Sequence, residues 1–201
     1  MSVFTSGRRI MRITAEEKAA TRNRIVSAAK QLFRAKGFHA ATTRDIAKEA
    51  GIAVGTMFNY FQSKEAIVVE LAIELLDKAK TEFEKNRRTN VELAEELFAS
   101  IAIQLRAMRS IRKYIRPVID TALTTAGNDV ATELRKGLVE HFDGILAAHG
   151  FHDPSAIQQN ILWSLYVGVL THWGNDKSPK QEDSLALLDQ SIRMYADWLK
   201  Q

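Results

Sequence analysis

Between Thr42 and Lys64 the chain sets hydroxyls, an amide and cations around Gly51 and Gly55: Thr42-Thr43-Arg44, Val54-Gly55-Thr56-Met57, Asn59, Tyr60 and Lys64. These side chains suit hydrogen bonding to a phosphate backbone and to base edges. Hydroxyls, cations and helix N-termini anchor a protein on phosphates without reading sequence. Thr42, Thr43, Arg44, Tyr60 and Lys64 fit that role, and Arg44 can instead reach a base edge. Small residues let a helix backbone approach bases closely, which suits Val54, Gly55, Thr56 and Met57. The Thr56 hydroxyl can bond a base or a phosphate, and Val54 or Met57 can touch a thymine methyl. Asn59 carries the amide fork that pairs with adenine. Thr42 has an equal claim as a helix cap, and Lys48 reads as solvated.

The charge distribution points the same way. The formal net charge is +4, but residues 1–64 hold twelve Lys/Arg against four Asp/Glu, a net +8, which leaves −4 on the rest. A basic head on an acidic body suits a polyanionic partner. The chain has no cysteine, which excludes disulfides, thiolate metal sites and cysteine nucleophiles and suits a reducing cytoplasm. No charged-then-apolar leader opens it, and the apolar stretch Ile161–Leu170 falls short of the ~20 residues that span a bilayer. The expected location is therefore cytoplasmic, with no membrane partner.

The side chains are positioned by helices. Apolar residues recur at spacings of 3 and 4 almost throughout, with ten glycines and three prolines as punctuation, so the expected fold is all-α with about nine helices. The first carries the stripe Ile25, Ala28, Ala29, Leu32, Phe33 and stops at Gly37. Thr42 and Asp45 form a capping box that opens a second, short helix burying Ile46, Ala47 and Ala50. Gly51 supplies a tight turn, and Val54 starts a third helix expected to run to about Phe61. Two short helices joined at a glycine make a helix-turn-helix, whose second helix lies in the major groove. A long stripe from Ile67 to Ala79 predicts a connector helix. Further helices are expected over about 91–109, 111–126, 130–148, 155–173 and 182–200, with Pro117 kinking or splitting its own.

The segment TTRDIAKEAGIAVGTMFNYFQSKEAI, preceded by TRNRIVSAAKQLFRAKGF, strongly resembles the DNA-binding domain of the TetR family of transcription regulators over about residues 18–78. That resemblance implies a sequence-specific DNA-binding regulator, usually a repressor, whose operator affinity a small-molecule effector modulates. It implies a basic arm over 1–17, a three-helix head over 18–64 and a helical ligand-binding and dimerisation domain over 65–201. Two positions depart from the family pattern. Ala53 stands where Ser usually caps the recognition helix, removing a cap worth about 1 kcal/mol. Phe58 replaces a Tyr whose hydroxyl usually meets phosphate, and it is read as core with Ile46, Phe61 and Phe33. Arg8, Arg9 and Arg12 of the arm can enter a neighbouring minor groove, or simply form a flexible chain start.

In the last helix Leu185, Leu188, Ile192, Tyr195 and Leu199 form a heptad-like seam, with Ile157, Ile161, Leu165, Gly168 and His172 as its partner stripe. Such stripes can be core. The resemblance implies instead that the last two helices join two copies, setting two recognition helices on a palindromic operator about 34 Å apart. It also implies an effector pocket in the body. Candidates are Phe98, Ile101, Leu105, Met108, Tyr114, Trp163, Tyr166 and Trp173 as walls, with Gln104, His141 and His172 as orienting groups, each also explicable as packing. No cofactor and no catalytic residue is expected: Gly51-Ile-Ala-Val-Gly-Thr lacks the ending of a phosphate loop, and no Gly-x-Ser-x-Gly turn occurs. His141, His149, His152 and Asp153 lack the spacing of a helical metal site.

Overall fold

The computed structural model describes residues 14–123 and 129–201. Nine α-helices and no strand occur among them, and no helix among them is long and apolar enough to cross a membrane. The chain divides into two compact units, Met1–Lys64 and Glu65–Gln201.

In the first unit, α1 (Ala15–Lys36) is opened by a capping box: the Thr14 hydroxyl accepts from the Glu17 N–H at 3.1 Å, and the Glu17 carboxylate accepts from the Thr14 N–H at 2.8 Å. Residues 14–17 are therefore the cap and first turn of α1, not part of the arm expected over 1–17. Arg8, Arg9 and Arg12 lie outside the described residues. α1 ends at Gly37, whose φ of +84° is open to glycine at no steric cost. Its buried face, Ile25, Val26, Ala28, Ala29 and Phe33, packs on α2 (Thr43–Glu49), which buries Ile46 and Ala47. Each large aliphatic side chain fully withdrawn from water contributes about 1.5–3 kcal/mol. The turn between α2 and α3 (Val54–Phe58) bends at Gly51, φ +66°, while the Ile52 N–H donates to the Ala47 carbonyl. α3 is shorter than its sequence suggested, ending at Phe58 rather than Phe61.

The second unit contains most of α4 (Lys64–Lys85), then α5 (Leu93–Ala107), a 3-10 segment over Met108–Tyr114, α6 (Arg116–Leu123), α7 (Asp129–Ala148), α8 (Ala156–Asn175) and α9 (Glu182–Leu199). Pro117 splits the helix expected over 111–126, standing in the first turn of α6, where its missing N–H costs least. α5 is the central rod, packing on α7, α8 and α9, while α8 also meets α6, α7 and α9. Glu96 on α5 is buried and bonded at 2.5 Å both to Arg87, just after α4, and to His149, just after α7. α8 and α9 are pinned together by Asp176, which accepts from the backbone N–H groups of Ser178 and Ser184 at 2.7 and 2.9 Å.

The seam read on α9 divides: Leu185 is exposed at 38%, Leu199 is half-buried, and the other three face inward. Leu188, Ile192 and Tyr195 are buried as α9 packs on α5 and α8, so these three belong to the chain's own core. A second apolar stripe on α9, Leu187, Met194 and Trp198, is exposed, with Met194 63% accessible. The α8 stripe does look outward: Ile157 is 66% accessible, Ile161 and Leu165 are half-buried, and Gly168 and His172 are exposed.

Gly174 marks where α8 comes closest to the start of α6. A Cβ placed there would lie 2.8 Å from Ile115 Cγ2, a branch on a side chain stiff at χ1. Gly174→Ala gains about 1 kcal/mol of helix propensity but overpacks a site where such insertions cost about 1–3 kcal/mol. We expect a lower urea midpoint for Gly174→Ala; a raised midpoint would mean Ile115 can withdraw freely.

Candidate nucleic-acid interface and ligand cavity

In the head, two successive helices present one polar face. The Thr42 hydroxyl accepts from the Asp45 N–H at 3.1 Å, and the Asp45 carboxylate accepts from the Thr42 N–H at 3.0 Å and from Lys36 Nζ at 2.6 Å. The hydrogen bonds from Lys36 and Thr42 hold the Asp45 carboxyl well below the usual carboxylate range. With its pKa depressed on folding, this cap contributes fully above the usual carboxylate range, and the contribution is lost as pH falls from that range through the lower folded value. Thr42 is thus a cap in fact, its side chain engaged locally. Thr43 is half-buried and Arg44 exposed at the start of α2.

Position by position, α3 has two faces. Residues four apart share a face on a helix, and Val54 with Phe58, and Gly55 with Asn59, are exposed. Met57 and Phe61, also four apart, are buried. Thr56 and Tyr60 form the half-buried edge between them. Two expectations change places. Met57 is 0% exposed and is a core residue, withdrawn from any base, whereas Phe58 is 46% exposed and stands on the contact face. Ala53 makes no side-chain cap, leaving the first N–H groups of α3 without a side-chain acceptor.

Lys64 also departs from its expected role as a phosphate anchor. Its ammonium donates to the carbonyls of Phe38 at 2.8 Å, His39 at 3.3 Å and Ala41 at 3.2 Å, and lies 4.5 Å from the centre of the Phe38 ring. All three protons are spent on the loop that joins α1 to α2. Lys64→Met should therefore strand these carbonyls and lower stability by about 1–3 kcal/mol, while leaving the salt slope of duplex binding unchanged. Unchanged stability with a slope reduced by about one phosphate would restore the anchor role.

In the second unit, α4, α5 and α7 enclose a cavity of about 260 Å³ lined by Ile73, Leu76, Asp77, Lys80, Gln104, Glu133, Leu134, Gly137, Leu138 and His141. Gln104 is 3% exposed, and its Oε1 has no hydrogen-bond partner. Its Nε2 lies 3.5 Å from the Ser100 hydroxyl, which stands 2.8 Å from His141 Nε2. His141 is buried edge-on against Phe83. Burial, aided by the positive charges of Lys80 and Arg87, pushes its imidazole down to about 4, so it is neutral at physiological pH.

Of the effector candidates read from the sequence, Gln104 and His141 line this cavity. Ile101, Leu105, Met108, Trp163, Tyr166 and Trp173 are buried elsewhere in the body, Leu105 and Trp173 beside a smaller depression near Arg109 and Leu185. Phe98 and Tyr114 are half-buried, the Tyr114 hydroxyl donating to the Ser110 carbonyl. His172 is exposed and bonded to Ser184 at 3.1 Å, away from the cavity. Ser100 and the α7 wall were missed, although Leu134, Leu138 and His141 step by 4 and 3, one histidine on an apolar helix face. Among the described residues no group of three or more His, Cys, Asp or Glu side chains could hold a metal ion.

Residues 25–71 match the family model of the tetR family of bacterial regulatory proteins. That match covers the head, from within α1 to the first third of α4. The chain's family segment is similar to the HTH-type transcriptional regulator UidR of Escherichia coli K12, 36% identical over 67 residues that cover 33% of this chain and 34% of UidR. The chain thus spans about a third of the length of that curated relative. Similarity to the uncharacterised HTH-type transcriptional regulator YdgC of Bacillus subtilis runs further, 25% identical over 187 residues covering 78% of this chain and 95% of YdgC. In fold, the chain is similar to Thermus thermophilus FadR, a TetR-family transcriptional repressor solved with lauroyl-CoA: TM-score 0.66, 23% identity, 87% of this chain and 92% of that one covered. The likeness in fold takes in the N-terminal helix-turn-helix and the all-helical unit.

Proposed function

We propose that this chain is a sequence-specific, duplex-DNA-binding transcriptional regulator, a repressor in its ordinary mode, that acts as a cytoplasmic homodimer and is controlled by a small-molecule effector. It needs no cofactor and catalyses no reaction. The observation that carries the reading is the exposed face of α3 and its C-cap, Val54, Gly55, Phe58 and Asn59, on a helix packed against α2, where Arg44 is exposed and Thr43 half-buried. Small and amide side chains there allow close approach to base edges, while Arg44, Thr43, Thr56 and Tyr60 hold the backbone. The net +8 on residues 1–64 supplies the long-range attraction.

A second copy of the chain is the proposed occupant of the outward α8 and α9 stripes. Leu187, Met194, Trp198 and Ile157 leave large apolar side chains in water, and association through them would set two heads on a palindromic site. Met194→Lys should shift the mass in solution from dimer toward monomer and weaken duplex binding by at least about tenfold. A mass that stays dimeric in the variant would place the interface elsewhere. An effector that binds one spacing of the two heads better than another shifts DNA affinity by that difference alone.

The whole reading is tested by selecting bound sites from random duplexes with the purified chain. Enrichment of a palindrome with half-sites about one helical turn apart is expected. No enrichment over many rounds, at low salt, would contradict it.

A further inference from the structure

The α4–α5–α7 cavity carries an unmet chemical demand. A buried acceptor without a donor is costly, yet Gln104 Oε1 has none, and Gln104 is one of the residues that line the cavity. The neighbouring relay is already occupied. Gln104 Nε2 points to the Ser100 hydroxyl, and that hydroxyl pairs with His141 Nε2. The inner end of the cavity therefore offers an acceptor and a neutral imidazole, and Lys80 on α4 supplies the cation of the lining.

The remaining walls narrow the ligand further. Ile73, Leu76, Leu134 and Leu138 are apolar and suit a hydrocarbon body. The charged side chains that line the cavity are Asp77 and Lys80 on α4 and Glu133 on α7, two acids against one base. Several phosphate charges brought to such walls would have one ammonium to meet them and two carboxylates to repel them. At about 260 Å³ the space lies just under the roughly 300–1,000 Å³ of pockets that hold drug-sized ligands.

We infer that this cavity binds a small uncharged molecule, an alcohol or primary amide on an apolar body, whose O–H or N–H donates to Gln104 Oε1. A carboxylate or a coenzyme A thioester, of the kind seen in the Thermus thermophilus FadR structure, does not fit these walls. The inference rests on the proposed function only in calling the molecule an effector.

Octanol, octanamide, octanoate and octanoyl-CoA offer four head groups on one hydrocarbon chain, and calorimetric titration of the full chain compares them. The alcohol and the amide should bind, with the carboxylate and thioester at least about tenfold weaker. Gln104→Leu should raise the Tm of the ligand-free protein by a few degrees, because the stranded oxygen is gone, and should weaken octanol about tenfold. Overturning results are carboxylate or thioester affinity equal to that of the alcohol, no binding of alcohol or amide, or unchanged octanol affinity in Gln104→Leu. Should the variant misfold, the head-group series on the wild-type chain decides alone. Duplex binding without any probe is measured separately. Its absence contradicts the regulator reading, whereas failure of the series with DNA binding intact contradicts only the cavity assignment.

Discussion

Gly55→Asp should remove duplex binding while leaving the head as stable as before, or more so. Gly55 is the second residue of α3, and a Cβ added there meets nothing within 4 Å. Replacing a helical glycine recovers up to about 1 kcal/mol of propensity. An acid in the first turn also interacts favourably with the helix dipole, at a helix whose Ala53 supplies no cap. Every folding effect thus favours the variant. Against DNA the signs reverse: a carboxylate is placed on the face that must approach a polyanion, and like charges brought together cost several kcal/mol. Affinity should fall by about a hundredfold or more, by fluorescence anisotropy on a selected duplex, with an unchanged or raised Tm. Retained affinity would remove α3 from the interface.

Met57→Ala should do the reverse, damaging the fold. Met57 is fully buried on the inner face of α3, and Phe61, three residues beyond the helix end, is buried as well. Truncating a buried methionine costs about 2–5 kcal/mol through lost transfer energy and the cavity left behind. In a head of one long and two short helices that is a large fraction of total stability. The head should unfold at markedly lower temperature, followed by circular dichroism, and any loss of DNA binding should track the unfolded fraction. Phe58→Ala is the matched control, expected to leave stability within about 0.5 kcal/mol, as for an exposed position, while weakening duplex binding. If Met57→Ala were as stable as the parent and altered only which sequences are bound, Met57 would be a base reader after all.

The contrast between Met57 and Phe58 shows where the sequence is legible. Long helices declare their buried face by repetition: the α1 stripe from Ile25 to Phe33 spans more than two turns, and its core was readable in advance except at Leu32, which is half-buried, and Val26, which is buried outside the stripe. α3 has five residues, and two adjacent apolar side chains within it fit either phase. Only the packing of the surrounding helices selects Met57 for the inside. The capping box at Thr42 was readable because it is local, three residues apart. The role of Lys64 was not, because its carbonyl partners lie 23 to 26 residues away. The α9 seam could be read either as core or as a face between copies for a related reason. α9 carries two apolar stripes, and the more regular one packs on the chain's own α5 and α8, leaving Leu187, Met194 and Trp198 outside. In the body, Gln104 and His141 were visible as polar residues on apolar faces, but the cavity they share depends on the crossing of three helices.

The central claim is that the outward face of α3, backed by a basic head, holds duplex DNA through its phosphates and base edges. The most direct test is the affinity for a selected duplex measured across a range of salt concentrations, for the parent chain and for Gly55→Asp. For the parent, log affinity should fall linearly with log salt, by about 0.9 for each phosphate neutralised, and a scrambled duplex should bind far more weakly. For Gly55→Asp both affinity and discrimination should collapse. A parent affinity indifferent to salt, or equal affinity for selected and scrambled duplexes in both proteins, would contradict it.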